Sequence, residues 1–212
     1  MHPDIERILF TAEQIAARTR ALGKRIAEDL AASAAKAGED ARAGEQAAAP
    51  AQSAAAQGGV PAQNPAMPLA VCILKGSVPF FADLIRAIPL PLETEYIALS
   101  SYGAGTASSG AVHIGKDIEA DVAGRDVLIV EDIVDSGRTL AFLCGHLAAR
   151  RPRSVRVVTL LDKPSRRAVP FSPDYVGFAV DDVFVVGCGM DYAGRYRNLP
   201  YIGVLKPAVY GD

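Results

Sequence analysis

The chain has 212 residues, 50% of them hydrophobic and 22% charged, which suits one globular α/β domain with a substantial core and leaves little room for a second. Its 22 basic and 24 acidic residues give a formal net charge of −2, so no overall positive field marks nucleic acid or an anionic membrane as a partner. No apolar run approaches the length of a membrane span, and the start MHPDIERILF carries early acids and no secretory pattern, so a cytoplasmic protein is expected.

Along the chain, Ile5, Ile8, Leu9 and Phe10 form a short apolar segment, and Thr11-x-x-Gln14 has the form of a capping box opening a helix. Ile15, Leu22, Ile26 and Leu30 fall on one face of that helix, with Arg18, Arg20, Lys24, Arg25 and Glu28 around the rest. From Ala31 to Pro68 the composition turns to Ala, Gln, Gly, Pro and Ser. There is little here to bury against the entropy of ordering, so a disordered insertion over 31–68 is expected. Its AASAAKA start should extend the helix by a turn or two, with flexible chain beyond Gly38.

LAVCIL, Leu69 to Leu74, reads as a buried strand that runs into Lys75-Gly76-Ser77 and then a helix carrying Val78, Phe80, Phe81, Leu84 and Ile85. Glu95 to Ser100 reads as another strand, followed by the small-residue stretch SSYGAGTASSGAVHI, an exposed loop. Four apolar residues, Val127 to Val130, then read as a strand buried on both faces, with Glu131 and Asp132 ending it. Asp135-Ser136-Gly137-Arg138-Thr139 follows, and Leu140, Leu143 and Leu147 continue at helical spacing.

A strand, tight loop and helix in this order aim backbone N–H groups and the positive end of the helix dipole at one point beyond the sheet, where a phosphate fits. Gly137 permits close approach, Ser136 and Thr139 offer hydroxyls, and Glu131 and Asp132 could accept from ribose hydroxyls or hold Mg²⁺. The loop is neither a Walker loop nor G-x-G-x-x-G. An ordinary turn with Asp135 or Ser136 capping the helix would also fit, but would leave the Glu131-Asp132 pair without a purpose.

Val155 to Leu161 reads as a further buried strand ending in Asp162-Lys163-Pro164, at the sheet edge where open α/β proteins place ligands. Short β-like runs, YVGF, VFVVG and YIGVL, alternate with turns from Tyr175 to Tyr210. Cys72, Cys144 and Cys188 are far apart and without metal-ligand spacing, and His2, His113 and His146 are scattered. Neither a disulfide or zinc site nor a histidine-based centre has support.

The stretch VLIVEDIVDSGRTL resembles the phosphoribosyl pyrophosphate (PRPP) signature of type I phosphoribosyltransferases. The sequence from about Ile5 to Leu30, and again from Leu69 nearly to the C-terminus, resembles the hypoxanthine (hypoxanthine-guanine) phosphoribosyltransferases. The resemblance implies the type I fold, a central mainly parallel sheet flanked by helices with a small hood subdomain and a flexible lid loop. It implies that Glu131, Asp132, Asp135, Ser136, Gly137, Arg138 and Thr139 bind the 5′-phosphate and ribose, with Asp135 the catalytic base. Lys75, Gly76 and Arg197 would bind pyrophosphate, with a cis peptide at Leu74-Lys75. Lys163, Phe184 and Val185 would bind the purine, Ser101 and Tyr102 would form the working edge of the lid, and Glu131, Asp132 and Asp191 would attend Mg²⁺.

The expected reaction is transfer of 5-phosphoribosyl from PRPP to a 6-oxopurine, by a homodimer or homotetramer. The alternatives are another PRPP-dependent transferase, for xanthine or adenine, and a non-catalytic PRPP-sensing regulator. The regulator would need a basic face or an added DNA-binding module, which the composition does not offer.

Overall fold

A computed structural model describes residues 1–47, 67–101 and 112–211. Most of the chain builds a six-stranded sheet from β2 (Leu69–Leu74), β3 (Glu93–Ser101), β4 (Val112–Lys116), β5 (Asp126–Val134), β6 (Ser154–Asp162) and β7 (Tyr175–Ala179), in the order β4-β3-β2-β5-β6-β7. Every pairing in it is parallel except β3 with β4.

Helices cover both faces, which is why the central strands are apolar at successive positions and not alternate ones. On one face Ala70, Cys72, Leu128 and Val130 pack against α1 (Ala12–Ala47) and α2 (Val78–Ala87) through Ile15, Leu22, Ile26, Phe80, Phe81 and Leu84. On the other, Leu69, Val71, Ile73, Val127 and Ile129 pack with Leu140, Leu143 and Leu147 of α3 (Arg138–Ala148). The expected capping box is present: Gln14 Oε1 accepts from Thr11 N at 2.8 Å and Thr11 Oγ1 from Gln14 N at 3.3 Å. Arg18, placed on the solvated side of that helix, donates to the carbonyls of Val176 and Gly177 at 2.7 Å each, against the edge strand β7.

Two element boundaries differ from expectation. β5 does not stop at the acid pair, because Glu131, Ile133 and Val134 keep pairing with Thr159, Leu161 and Asp162 of β6. α1 runs past Gly38 to Ala47; its alanines favour helix without tertiary contacts, and Gly38 lies on an exposed turn where its lack of a side chain leaves no packing defect. The remainder of the expected insertion, 48–66, lies outside the described residues. Chain re-entry is fixed by the fully buried Arg125, which donates to the Met67 carbonyl at 2.9 Å and pairs with Glu93 at 2.7 Å.

A second, smaller sheet stands apart as the hood. It pairs β1 (Ile5–Phe10), β9 (Ile202–Leu205) and β8 (Val185–Val186) antiparallel, joining the two ends of the chain. Ile5, Val186, Tyr196 and Leu205 form its own core. A single helical turn, α4 (Pro207–Tyr210), follows β9. Strands β8 and β9 bring Phe184, Val185 and Tyr210 against the carboxyl ends of β5 and β6, where the site lies.

Candidate active site

The loop after β5 is shaped by what its carbonyls do. Lys163 N donates to Val134 O at 2.9 Å, Arg167 Nη1 to Val134 O at 3.0 Å and Asp135 O at 2.6 Å, and Ala168 N to Ser136 O at 3.0 Å. Those carbonyls are taken up by the segment after β6, and the first N–H groups of α3, which have no carbonyl partners within the helix, are of the kind that binds an anion. Gly137 has φ +79°, and a Cβ there would sit 3.0 Å from the Phe171 Cβ, so this position needs glycine. Neither Asp135 nor Ser136 is the helix cap: the cap position is Gly137 itself, and no side chain caps it. The cradle is a cavity of about 100 Å³ lined by Glu131, Ile133, Val134, Asp135, Ser136, Gly137, Thr139 and Leu140. Arg138 lies at its edge with an exposed side chain, its N–H 3.4 Å from the Ser136 hydroxyl.

A second cavity, of about 460 Å³, adjoins the first and shares Ile133 and Asp135 with it. Here the sheet contributes Asp132 and Lys163, while the hood contributes Val183, Phe184, Val185, Met190, Asp191 and Tyr210. Lys163 is 6% exposed, and its ammonium is 3.9 Å from Asp182. Phe184 presents a ring stacked on Tyr210 at 4.8 Å between centroids and met edge-on by Tyr192 at 5.5 Å. Aromatic rings and backbone beside one buried cation suit a flat heterocycle with a hydrogen-bond acceptor.

The Leu74-Lys75 peptide is cis. Behind it Gly76 abuts Asp132 so closely that a Cβ would fall 1.6 Å from a carboxylate oxygen. Gly189, at φ +96°, packs on the Gly76 carbonyl, where a Cβ would lie at 1.8 Å. Arg197 donates to the Gly189 carbonyl at 2.7 Å and pairs with Asp191 at 2.7 Å. The structure therefore joins Gly76, Asp132, Asp191 and Arg197 through contacts between loops far apart in sequence, with Lys75 exposed beside them.

Glu131 lines the small cavity and Asp132 the large one, and their side chains stay within hydrogen-bonding reach of each other. Burial, and then the charge of Asp132, push the Glu131 carboxyl well above its ordinary value. Of the expected lid, Ser101 closes β3, and Tyr102 with the rest of 102–111 lies outside the described residues.

Sequence reasoning missed Arg166, Arg167, Asp182, Met190 and Tyr210. Arg167 gathers Asp162 together with the carbonyls of the cradle, and Arg166 lies between Asp135 and Asp182. An arginine pair one residue beyond Lys163-Pro164, and an acid pair one residue before Phe184, were the available signals.

A strand-loop-helix cradle at the carboxyl end of a parallel strand, facing a cavity lined by a separate hood, is the arrangement of the phosphoribosyltransferase class. The comparisons agree. Residues 63–193 match the phosphoribosyl transferase domain family. The hypoxanthine-guanine phosphoribosyltransferase of Mycobacterium avium is 47% identical over 207 residues, covering 98% of this chain and 89% of its own length. The protein of the same name from Bacillus subtilis (strain 168) is 44% identical, with 99% and 98% covered. A crystal structure of a Staphylococcus aureus hypoxanthine phosphoribosyltransferase superimposes with a TM-score of 0.80 at 39% identity, over 100% of this chain and 97% of that one. The chain belongs to the hypoxanthine-guanine phosphoribosyltransferase family.

Proposed function

We propose that the two joined cavities bind PRPP and a 6-oxopurine together, and that the enzyme transfers the 5-phosphoribosyl group to the base, releasing pyrophosphate. The observation that carries this reading is the meeting of Lys163, Phe184 and Val185 with Asp132, Asp135 and Asp191 around one space that opens onto the cradle. The 5′-phosphate occupies the cradle, with Ser136, Gly137 and Thr139 around it and Arg138 at its edge. Glu131 accepts from the ribose. The base stacks on Phe184, and Lys163 donates to its O6.

In the reaction the bond from C1′ to pyrophosphate oxygen breaks, its electron pair leaving with pyrophosphate, and a bond from purine N9 to C1′ forms. Asp135 takes the proton from N7. Lys75, the Gly76 backbone and Arg197 hold the departing diphosphate, so positioning and charge stabilisation do most of the work. Closure of the segment beginning at Ser101 and Tyr102 excludes water from the reacting carbon.

Among the described residues, no group of three or more His, Cys, Asp or Glu side chains could hold a metal ion. Asp132 and Asp191 nonetheless suit Mg²⁺, which takes one or two carboxylates and completes its shell with water and substrate phosphates. Bound there with PRPP, it would neutralise charge on the leaving diphosphate.

Pyrophosphate release with PRPP, Mg²⁺ and each purine in turn tests the reading. Hypoxanthine and guanine should support release, and Asp135→Asn should slow it by about 100-fold or more. Unchanged release by Asp135→Asn would remove the assigned base.

A further inference from the structure

Four charged side chains of the large cavity form one chain of contacts. Arg166 Nε lies 3.2 Å from Asp135 Oδ1, and Arg166 Nη1 donates to both oxygens of Asp182, at 3.1 and 3.3 Å. Asp182 Oδ1 in turn lies 3.9 Å from the Lys163 ammonium. All four residues line the cavity.

Two facts separate this from an ordinary surface ion pair. Asp135 Oδ1 is buried and has no hydrogen-bond partner, and the Arg166 guanidinium at ion-pair distance is placed to direct it. Its neighbour Arg167 donates to the Asp135 carbonyl at 2.6 Å, so consecutive arginines address the side chain and the main chain of one residue. We propose that Arg166, clamped by Asp182, is a positioning residue that sets the direction of the Asp135 carboxylate toward the purine.

Half-exposed ion pairs contribute little to stability, and Arg166 is 50% exposed. Rate is a more sensitive quantity, because a displacement of about 1 Å in a reacting group can slow a reaction by about 100-fold. Arg166 keeps a fixed donor direction because its fork is held at a second point by Asp182. Asp182 stands between Lys163 and Arg166, so the clamp connects the group that reads the base with the group that takes its proton.

The inference rests on Asp135 being the base, and a double-mutant cycle separates the two ideas. The measured quantity is the single-turnover rate of nucleotide formation from hypoxanthine and PRPP with Mg²⁺, read beside the thermal midpoint. Arg166→Gln should lower the rate by about tenfold with an unchanged midpoint, and in an Asp135→Asn background it should lower it no further. Asp182→Asn should slow the enzyme, and should add nothing once Arg166→Gln is present. A full tenfold loss from Arg166→Gln in the Asp135→Asn background would overturn the inference, because Arg166 would then act elsewhere. So would a wild-type rate in Arg166→Gln. Asp135→Asn turning over as fast as wild type would instead remove the base on which the inference stands.

Discussion

Under the proposed function, Lys163 carries the choice of base. Its ammonium is nearly enclosed and can only donate, so the O6 acceptor of a 6-oxopurine satisfies it while the 6-amino group of adenine presents a second donor. A mismatched buried polar contact costs about 1–3 kcal/mol, so Lys163→Ala should raise KM for hypoxanthine by about tenfold while KM for PRPP stays within about twofold. Steady-state kinetics with each substrate varied checks this, and an unchanged KM for hypoxanthine would remove Lys163 from the base pocket. At this scale the sequence was informative where a residue type has one dominant use, as with the small residues Ser136, Gly137 and Thr139 after a buried strand. It was silent on Arg166 and Arg167, because an arginine after a strand end looks the same whether it faces water or gathers carbonyls from the loop of another strand.

Among the elements, β5 and its anchorage hold the cradle in place. Asp126, at the start of β5, accepts from Arg153 at 2.5 Å, Ser154 at 2.6 Å and Ser33 at 3.0 Å. These bonds fix β5 against the start of β6 and against α1. Burial alone would raise the Asp126 carboxyl, but the hydrogen bonds from Arg153, Ser154 and Ser33 outweigh it and hold it below its ordinary value of 3.8. The folded protein therefore binds the proton less readily than the unfolded chain. The stabilisation is fully present above pH 3.8 and is lost as pH falls through the lowered folded value. Asp126→Asn should cost about 2 kcal/mol at pH 7, and the gap from wild type should shrink toward pH 3. Denaturant unfolding at the two pH values measures it, and a gap that widened in acid would contradict the assignment.

Strand β2 was legible at both ends, because LAVCIL is bounded by proline and by Lys-Gly-Ser and is buried on both faces. The end of β5 was not, because its ladder with β6 continues beneath polar side chains. The end of α1 was misjudged for a related reason: an alanine-rich stretch with no apolar face can hold helix by propensity alone.

Over the whole molecule, segments near residues 76, 132, 163, 184, 191 and 197 are brought together only by the fold. The parallel sheet brings the first three to one edge, and the hood folds the others over them. The expectation that these segments form one site came from the resemblance and not from any one local pattern, since Phe184, Asp191 and Arg197 read singly as core, turn and surface charge. The segment 48–66 joins α1 to the amino end of β2, roughly 20 Å from the carboxyl edge where the cavities lie, at about 3.3 Å per strand residue. Replacing it with a glycine-serine linker of equal length should leave the single-turnover rate within about twofold of wild type, since the end of β2 to which it attaches is the one away from the cavities. A larger loss would give that segment a part in the reaction.

The central claim is that one cavity presents a donor to the purine 6-position while the cradle beside it holds the phosphorylated sugar. Hypoxanthine and adenine competing at equal concentration for limiting PRPP, with both nucleotide products quantified from one reaction, measure that claim as a ratio of kcat/KM values. The account predicts inosine monophosphate over adenosine monophosphate by at least about tenfold. Equal yields, or an excess of adenosine monophosphate, would contradict it.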